Sequence, residues 1–425
     1  MGVTLFIAFI VLIVLSVPIS IALGLSSMIA VLLHTDMSLM VLVQKIFGGV
    51  NSFTLMAIPF FILAGNIMAA GGVSNRLVNF AGTLIGRLTG GLALVSTVAC
   101  TFFGAISGSA PATTAAIGAV MVEPMEKKGY SKEFAAATVA ASGTIGLLIP
   151  PSITMVLYGV IAGASIGKLF LAGIIPGLLM CLTLMGVEYA ISRKRGYGGD
   201  APASLKEIFL SFKSSILALL MPLIILGGIY GGIFTPTEAA VVAVVYGVII
   251  GLFAYKELNF KKIMEILQNS GKSTAVILYL VATAHIFSYI LASEQIPQQL
   301  AQLMLSVSSN PLMIQFMIMI ALLFAGTFLD NAVAIVLLTP IFYPITVQVG
   351  IDPVFFGVLM VFALAIGQVT PPVGLCLFVA CNISKVSIEK LSKAVIPFLV
   401  ALIVLLVVLN LIPDVILYIP RHAVF

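Results

Sequence analysis

Apolar runs too long for any element of a soluble protein recur along this chain, and they decide its class. Leu5 to Leu33, Leu169 to Ala190, Ile216 to Ile233 and Ala394 to Ile412 reach or exceed the roughly 17–25 residues a helix needs to cross a bilayer. A soluble domain needs a charged surface. Here 8% of 425 residues are charged, 61% are hydrophobic, and the mean hydropathy is +1.25, which places the chain in membrane lipid. The first run is too long, and too closely followed by others, for a cleaved signal peptide, so we read it as the first membrane helix. The longest polar stretch, Arg193 to about Lys213, is too short for an aqueous catalytic domain, which argues against an enzyme. Cys100, Cys181, Cys376 and Cys381 sit in or beside apolar segments without paired spacing and read as small apolar fillers. The net charge of +5 is explained by basic loops and needs no nucleic acid.

Basic residues cluster at Arg193, Lys194, Arg195, Lys206 and Lys213, and again at Lys256, Lys261, Lys262 and Lys272. The apolar segments between them, 214–234 and 236–255, read as one transmembrane hairpin that returns both clusters to the same face. By span counting, Lys127, Lys128, Lys132 and Lys168 fall on the other face, which leaves the orientation open.

The chain also repeats itself. Sliding it by 221 residues matches 103–178 to 324–399 without a gap. Pro150-Pro151 falls on Pro371-Pro372, each pair four residues after a matched glycine, Gly146 and Gly367. Duplicated units of this kind are common in secondary transporters, where broken helices meet near the midplane. The span count favours an inverted repeat over a parallel one. We therefore expect an all-α polytopic membrane protein with two related halves, 1–212 and 213–425. The first half combines scaffold helices with transport elements 86–192. In the second half, linking and scaffold helices 214–272 precede transport elements 273–413.

Each half contains two places where a helix should fail. From 104 to 119 nearly every residue is Gly, Ala, Ser or Thr, with Gly108 and Pro111 weakening the helix. The counterpart, Gly326 to Asn331, carries Asp330 in an otherwise apolar stretch. An ionised carboxylate at that depth costs roughly 2.5–3.5 kcal/mol on insertion scales, so it should face a polar cavity, a cation or a helix N-terminus. The second break is the Pro-Pro element. Its flanking arms are short, so 133–166 and 353–384 read as re-entrant hairpins whose tips expose carbonyls. Exposed carbonyls and nearby hydroxyls form an oxygen-rich environment suited to sodium, and helix N-termini suit an anionic substrate. Plainer readings compete with these: the small residues as a packing surface, the prolines as kinks, Asp330 as a helix cap and His285 as a packed histidine. Thr235-Pro236-Thr237-Glu238 reads as a capping box, which makes Glu238 structural.

The motifs together resemble the large membrane subunit of tripartite ATP-independent periplasmic (TRAP) transporters. They are Phe103 to Val120, Gly143 to Ile153, Gly232 to Ala240, Leu338 to Pro344 with Gly350 to Pro353, and Gly367 to Phe378. The resemblance runs essentially the full length. It implies a multi-pass bacterial inner-membrane permease that takes up an organic acid, such as sialic acid or a C4-dicarboxylate, with sodium as coupling ion and no cofactor. It also implies an elevator motion of the hairpins and broken helices against a scaffold. The implied partners, besides membrane lipid, are a small four-helix membrane subunit, expected as a separate polypeptide, and a soluble periplasmic binding protein. Carried over by motif, the sodium ligands are Ser107, Ser109, Gly146, Ile149 and Pro151, and Thr327, Asp330, Gly367, Val369 and Pro371, many through backbone carbonyls. Ser152, Asn331, Thr370 and His285 are the candidate substrate contacts. Rival readings are an autonomous sodium/carboxylate symporter, an integral-membrane enzyme and a channel. The enzyme lacks converging His or carboxylate clusters, and the channel lacks a ring of identical elements.

Overall fold

Proline and glycine set the first boundaries. In the computed structural model, which describes residues 1–36 and 38–423, the stretch expected as one membrane helix is two, α1 (Gly2–Val14) and α2 (Ile19–His34). Pro18 stands at the N-cap of α2, and Ser16 takes a left-handed φ of +62°, so the chain reverses where a proline cannot continue the ladder. The two lie antiparallel, with Thr4 Oγ1 2.6 Å from His34 Nε2. α3 (Leu39–Val50), α4 (Ala57–Ala70) and amphipathic α5 (Val73–Ile85) complete the opening segment. There follow α6 (Gly91–Ser107), α7 (Ala110–Lys127), α8 (Lys132–Gly143), α9 (Ile153–Ala162) and α10 (Ile166–Arg195). α11 (Leu205–Tyr230), α12 (Pro236–Ile249), α13 (Phe260–Ser293) and α14 (Ile296–Val307) lead into the second half. It closes with α15 (Pro311–Gly326), α16 (Asn331–Gln348), α17 (Pro353–Gly367), α18 (Leu375–Ser384), α19 (Ile388–Leu411) and α20 (Pro413–His422). Among the described residues, seven helices are long and apolar enough to cross a membrane, and α14 with α15, bent by 120°, makes an eighth candidate.

The capping box at Thr235 forms as its sequence dictates: Thr235 Oγ1 accepts the Glu238 N–H, and Glu238 Oε2 accepts the Thr235 N–H at 2.8 Å. α11 and α12 are an antiparallel pair, tied by Tyr246 Oη to the Leu217 carbonyl (2.8 Å) and Tyr255 Oη to the Ser214 carbonyl (3.2 Å). The basic clusters flanking them therefore share one end of the molecule. Lys127, Lys128 and Lys132, expected on the opposite face, lie at this end too. Lys128 pairs with Asp200, and the Arg195 guanidinium donates to Ser131 Oγ at 3.0 Å. Lys168, in the first turn of α10, is at the other end. α10 spans 30 residues, about 45 Å at helical rise.

That helix is a ruler for the breaks. α8 begins beside the last turn of α10, with Arg195 over the Phe134 ring. α9 ends a few residues before the first turn of α10. The segment 133–166, expected to fold back on itself, instead runs from one end of α10 to the other as a broken span. The segment that does turn back is α6–α7. The Gly90 N–H bonds the Tyr197 carbonyl, and Lys128 pairs with Asp200, so both outer ends lie near the end of α10, with Ser107–Ser109 as the tip. The short arms around Pro150-Pro151 signal a break, but its direction comes from these contacts.

The second half runs the other way. Tyr158 Oη in α9 donates to the Pro353 carbonyl at 2.7 Å, so α17 starts at the end of the molecule opposite the start of α8. The segment 353–384, likewise expected to fold back on itself, is a broken span too: it starts beside α9, and Ile383 near its end reaches Gly118 of α7. α7 and α16 are each 18 residues and keep the offset of 221 to the residue. The match is not gapless throughout. The helix-ending left-handed residues Gly163 and Lys385, and the N-caps Ser165 and Ser387, are offset by 222. The slip falls between Pro372 and Gly374, the latter at φ +55°, beside the second break. α9 packs on α16, α18 packs on α7 and α8, and α13 packs on α2, α3 and α4. Along α19, Val400 and Val404 stay exposed, as a lipid-facing row requires.

Candidate functional site

In the first half, small residues let the α6–α7 tip reach the broken span. A Cβ on Gly104 would lie 2.7 Å from the Gly146 Cα, and one on Gly108 would lie 2.6 Å from the Pro151 carbonyl oxygen. Gly108 has a φ of +62°, which glycine adopts without steric penalty. The Ile153 N–H bonds the Gly108 carbonyl at 3.3 Å. Around this junction Thr113 Oγ1 lies 2.8 Å from both Ser107 Oγ and the Ser109 carbonyl. A Cβ on Gly146 would be 2.7 Å from Thr113 Oγ1 and 3.1 Å from the Ser109 oxygen. The structure thus brings Ser107, Ser109, Gly146 and Pro151 together. It adds Thr113, which the sequence reading passed over although it stands one turn beyond Ser109. Ile149 turns its side chain to Gly177 of α10. Ser152 caps α9, its Oγ accepting the Met155 N–H at 3.3 Å and bonding Thr154 Oγ1 at 2.9 Å, so this hydroxyl is already used.

α10 braces the cluster. Buried Glu188 accepts hydrogen bonds from Thr97 of α6 and, at 3.3 Å, from Ser142 of α8, which ties both arms of the site to one helix.

The second half repeats the glycine contact and changes the chemistry. A Cβ on Gly367 would lie 2.5 Å from the Gly326 Cα. Asp330 is the N-cap of α16, with Oδ1 accepting the Ala332 N–H at 2.9 Å. Its position at a helix N-terminus is one of the environments its depth demanded. Asn331 Oδ1 accepts from Gln368 Nε2 at 3.0 Å, leaving Asn331 Nδ2 and Gln368 Oε1 buried without a partner. Gln368, which the sequence reading missed, aligns with Leu147 in the first half. Thr327 and Thr370 spend their hydroxyls on the carbonyls of Phe324 (2.7 Å) and Ile366 (2.8 Å). Val369 is fully buried and Pro371 half-buried; no described contact joins either to Asp330. The Pro-Pro bonds are cis in both halves. His285 lies apart from both tips, on α13, in a cavity of about 510 Å³ between α13 and α16.

Two halves, each with an interrupted helix pair meeting a broken span inside an apolar helical body, define a polytopic membrane transporter. The fold matches the Alcanivorax borkumensis YdaH transporter with a TM-score of 0.66 at 15% identity, over 90% of this chain and 88% of that one. Residues 6–415 match the family described as tripartite ATP-independent periplasmic transporter, DctM component, and the chain belongs to that family. It is 42% identical to the C4-dicarboxylate TRAP transporter large permease protein DctM of Pseudomonas aeruginosa, over 94% of each chain. To the sialic acid TRAP transporter large permease protein SiaM of Vibrio cholerae it is 42% identical, over 89% of this chain and 88% of that one. To the isethionate TRAP transporter permease protein DctMQ of Oleidesulfovibrio alaskensis it is 46% identical over 94% of this chain; the match spans 63% of that longer protein. The chain is a multi-pass protein of the bacterial inner membrane, a TRAP permease for organic acids.

Proposed function

We propose that this permease takes up a small organic acid driven by a sodium gradient, through an elevator motion of an inverted repeat. The observation that carries the reading is the meeting of each hairpin tip with a break: Gly104 on Gly146 and Gly326 on Gly367, in halves that run in opposite directions. In the first half the meeting gathers the Ser109 carbonyl, the Ser107 and Thr113 hydroxyls and the Pro151 carbonyl, all hard oxygen donors. In the second, Asp330 supplies a carboxylate. The ten residues assigned as sodium ligands from the family motif remain assigned on that ground, with Thr113 added from geometry. The moving body comprises the two hairpins and the two broken spans, which pack across the repeat boundary through α9 on α16 and α18 on α7. Basic residues crowd the end marked by Arg195, which makes it cytoplasmic by the positive-inside rule.

The named substrates of the relatives, C4-dicarboxylates, sialic acid and isethionate, share an anionic head group, and the class extends to this chain. The partners are a small four-helix membrane subunit and a periplasmic binding protein that hands over the acid.

The test is uptake into proteoliposomes of this chain with its small subunit, under an inward sodium gradient, for labelled succinate, N-acetylneuraminate and isethionate. Each is measured with and without a cognate binding protein, and again with Asp330→Ala. Sodium-dependent, binding-protein-dependent uptake that Asp330→Ala abolishes is the expected result. Uptake indifferent to sodium and to the substitution overturns the coupling; uptake without the binding protein overturns the tripartite assembly.

A further inference from the structure

Two cavities open between α13 and α16 on the side away from Arg195. One, of about 510 Å³, also touches the end of α9, and the other, of about 340 Å³, is lined by Lys45 of α3. They share His285, Ser288, Pro340 and Pro344. Lys45 is the one lysine or arginine lining either, and its Nζ rests 4.4 Å from the centre of the Tyr289 ring. Gly49 allows α3 this close, since a Cβ there would lie 2.6 Å from the His285 Cβ. His285 Nδ1 lies 3.1 Å from the Lys45 carbonyl. A carbonyl only accepts, so Nδ1 carries the proton and the imidazole is fixed against α3.

The facing helix supplies acceptors. Pro340 and Pro344 lie inside α16 and lack N–H groups, so the carbonyls of Val336 and Pro340 lose their helical donors. Val336 and Pro340 line the larger cavity. The space around these four shared residues thus has one cation on its α3–α13 wall and, on its α16 wall, two residues whose carbonyls lack a helical donor. We propose that it is a binding site for an organic anion that also carries a hydroxyl, with Lys45 holding the acidic group and the α16 carbonyls taking the hydroxyl. This deepens the transport reading and rests on it for its role: a first stop between fixed and moving helices, on the binding-protein side. An acid without a hydroxyl leaves the carbonyls unpaired, a loss of roughly one hydrogen bond, or about tenfold in affinity.

The chain contains no tryptophan, so Tyr289→Trp installs a lone reporter under Lys45. The full-length Tyr289→Trp protein in detergent is titrated with isethionate against ethanesulfonate, malate against succinate, and sodium chloride as control. We expect saturable fluorescence changes with the organic acids, about tenfold tighter for each hydroxylated member, and none with chloride. Adding Lys45→Gln should abolish the response and Lys45→Arg should restore it, both in protein that elutes as wild type on gel filtration. Equal affinities within each pair overturn the hydroxyl assignment. A response unchanged by Lys45→Gln, or reproduced by chloride, overturns the site. Sodium-driven uptake alongside a flat titration would sink this proposal alone, whereas saturable binding without such uptake would sink the transport reading and keep the site.

Discussion

Gly104 of α6 and Gly146 of the first broken span meet backbone to backbone, and a Cβ on the first would lie 2.7 Å from the Cα of the second. Gly326 and Gly367 make the corresponding contact in the second half. A methyl group at either junction forces a hairpin tip away from its break. Gly146→Ala and Gly367→Ala should each destabilise the protein by about 1–3 kcal/mol, the usual cost of overpacking, and suppress uptake. Gly227, in the interior of α11 with open space around its Cβ position, is the control. Gly227→Ala should stabilise by about 0.5–1 kcal/mol. Thermal unfolding in detergent reads both, and a Gly146→Ala protein that melts with wild type would show that the junction accommodates a methyl group.

The breaks themselves were legible in the sequence because glycine and proline act locally. Small residues from 104 to 119, the paired Pro-Pro elements and the threonine–glutamate cap at 235–238 each appear where the residues say. What a chain does after a break is not local. Short arms around Pro150-Pro151 suggested a fold-back. Yet the Arg195–Ser131 and Tyr158–Pro353 contacts, each 64 residues or more apart in sequence, carry α8 and α9 to opposite ends. The one-residue slip near Gly374 was hidden for a related reason: apolar residues match each other at either offset. Lys45 was overlooked because no lysine or arginine lies between Lys272 and Lys385, and only the packing of α3 on α13 brings Lys45 to α16. Thr113 and Gln368 were missed because their repeat partners, Ala334 and Leu147, carry no polar group to draw attention.

Thr113 holds the first tip through two oxygens, Ser107 Oγ and the Ser109 carbonyl, both at 2.8 Å. Thr113→Val keeps the side-chain shape and removes the hydroxyl. The expected result is a rise of about tenfold in the sodium concentration giving half-maximal uptake, with the maximal rate at saturating sodium little changed. Thr113→Ser should behave as wild type. A valine variant whose sodium dependence is unaltered would show that Thr113 only packs.

Asn331 and Gln368 form a buried amide pair that the first half replaces with Ala110 and Leu147. Asn331→Ala or Gln368→Leu alone strands the partner amide, at a cost of about 1–3 kcal/mol. The double variant copies the first half and strands nothing, so it should be more stable than the sum of the single changes allows. A double-mutant cycle on thermal stability should return a coupling of about 0.5–1.5 kcal/mol. Additive losses would mean the two amides do not act as a pair.

Glu294, which ends α13, joins that helix to α1: its Oε2 accepts the Gly2 N–H at 2.9 Å. This bond from a backbone amide holds its carboxyl below the usual glutamate range. A group whose value is lowered by folding adds stability above its unfolded value, about 4.3 for glutamate, and loses it as pH falls through the lower folded value. The carboxyl is about one-third exposed, so solvent screening keeps the effect small and its pH dependence is more informative than its size. Glu294→Gln should melt below wild type at neutral pH, and the gap should close as the medium is acidified past the glutamate range. A gap that stays constant across that range would assign the loss to packing at the α1–α13 contact rather than to the charge.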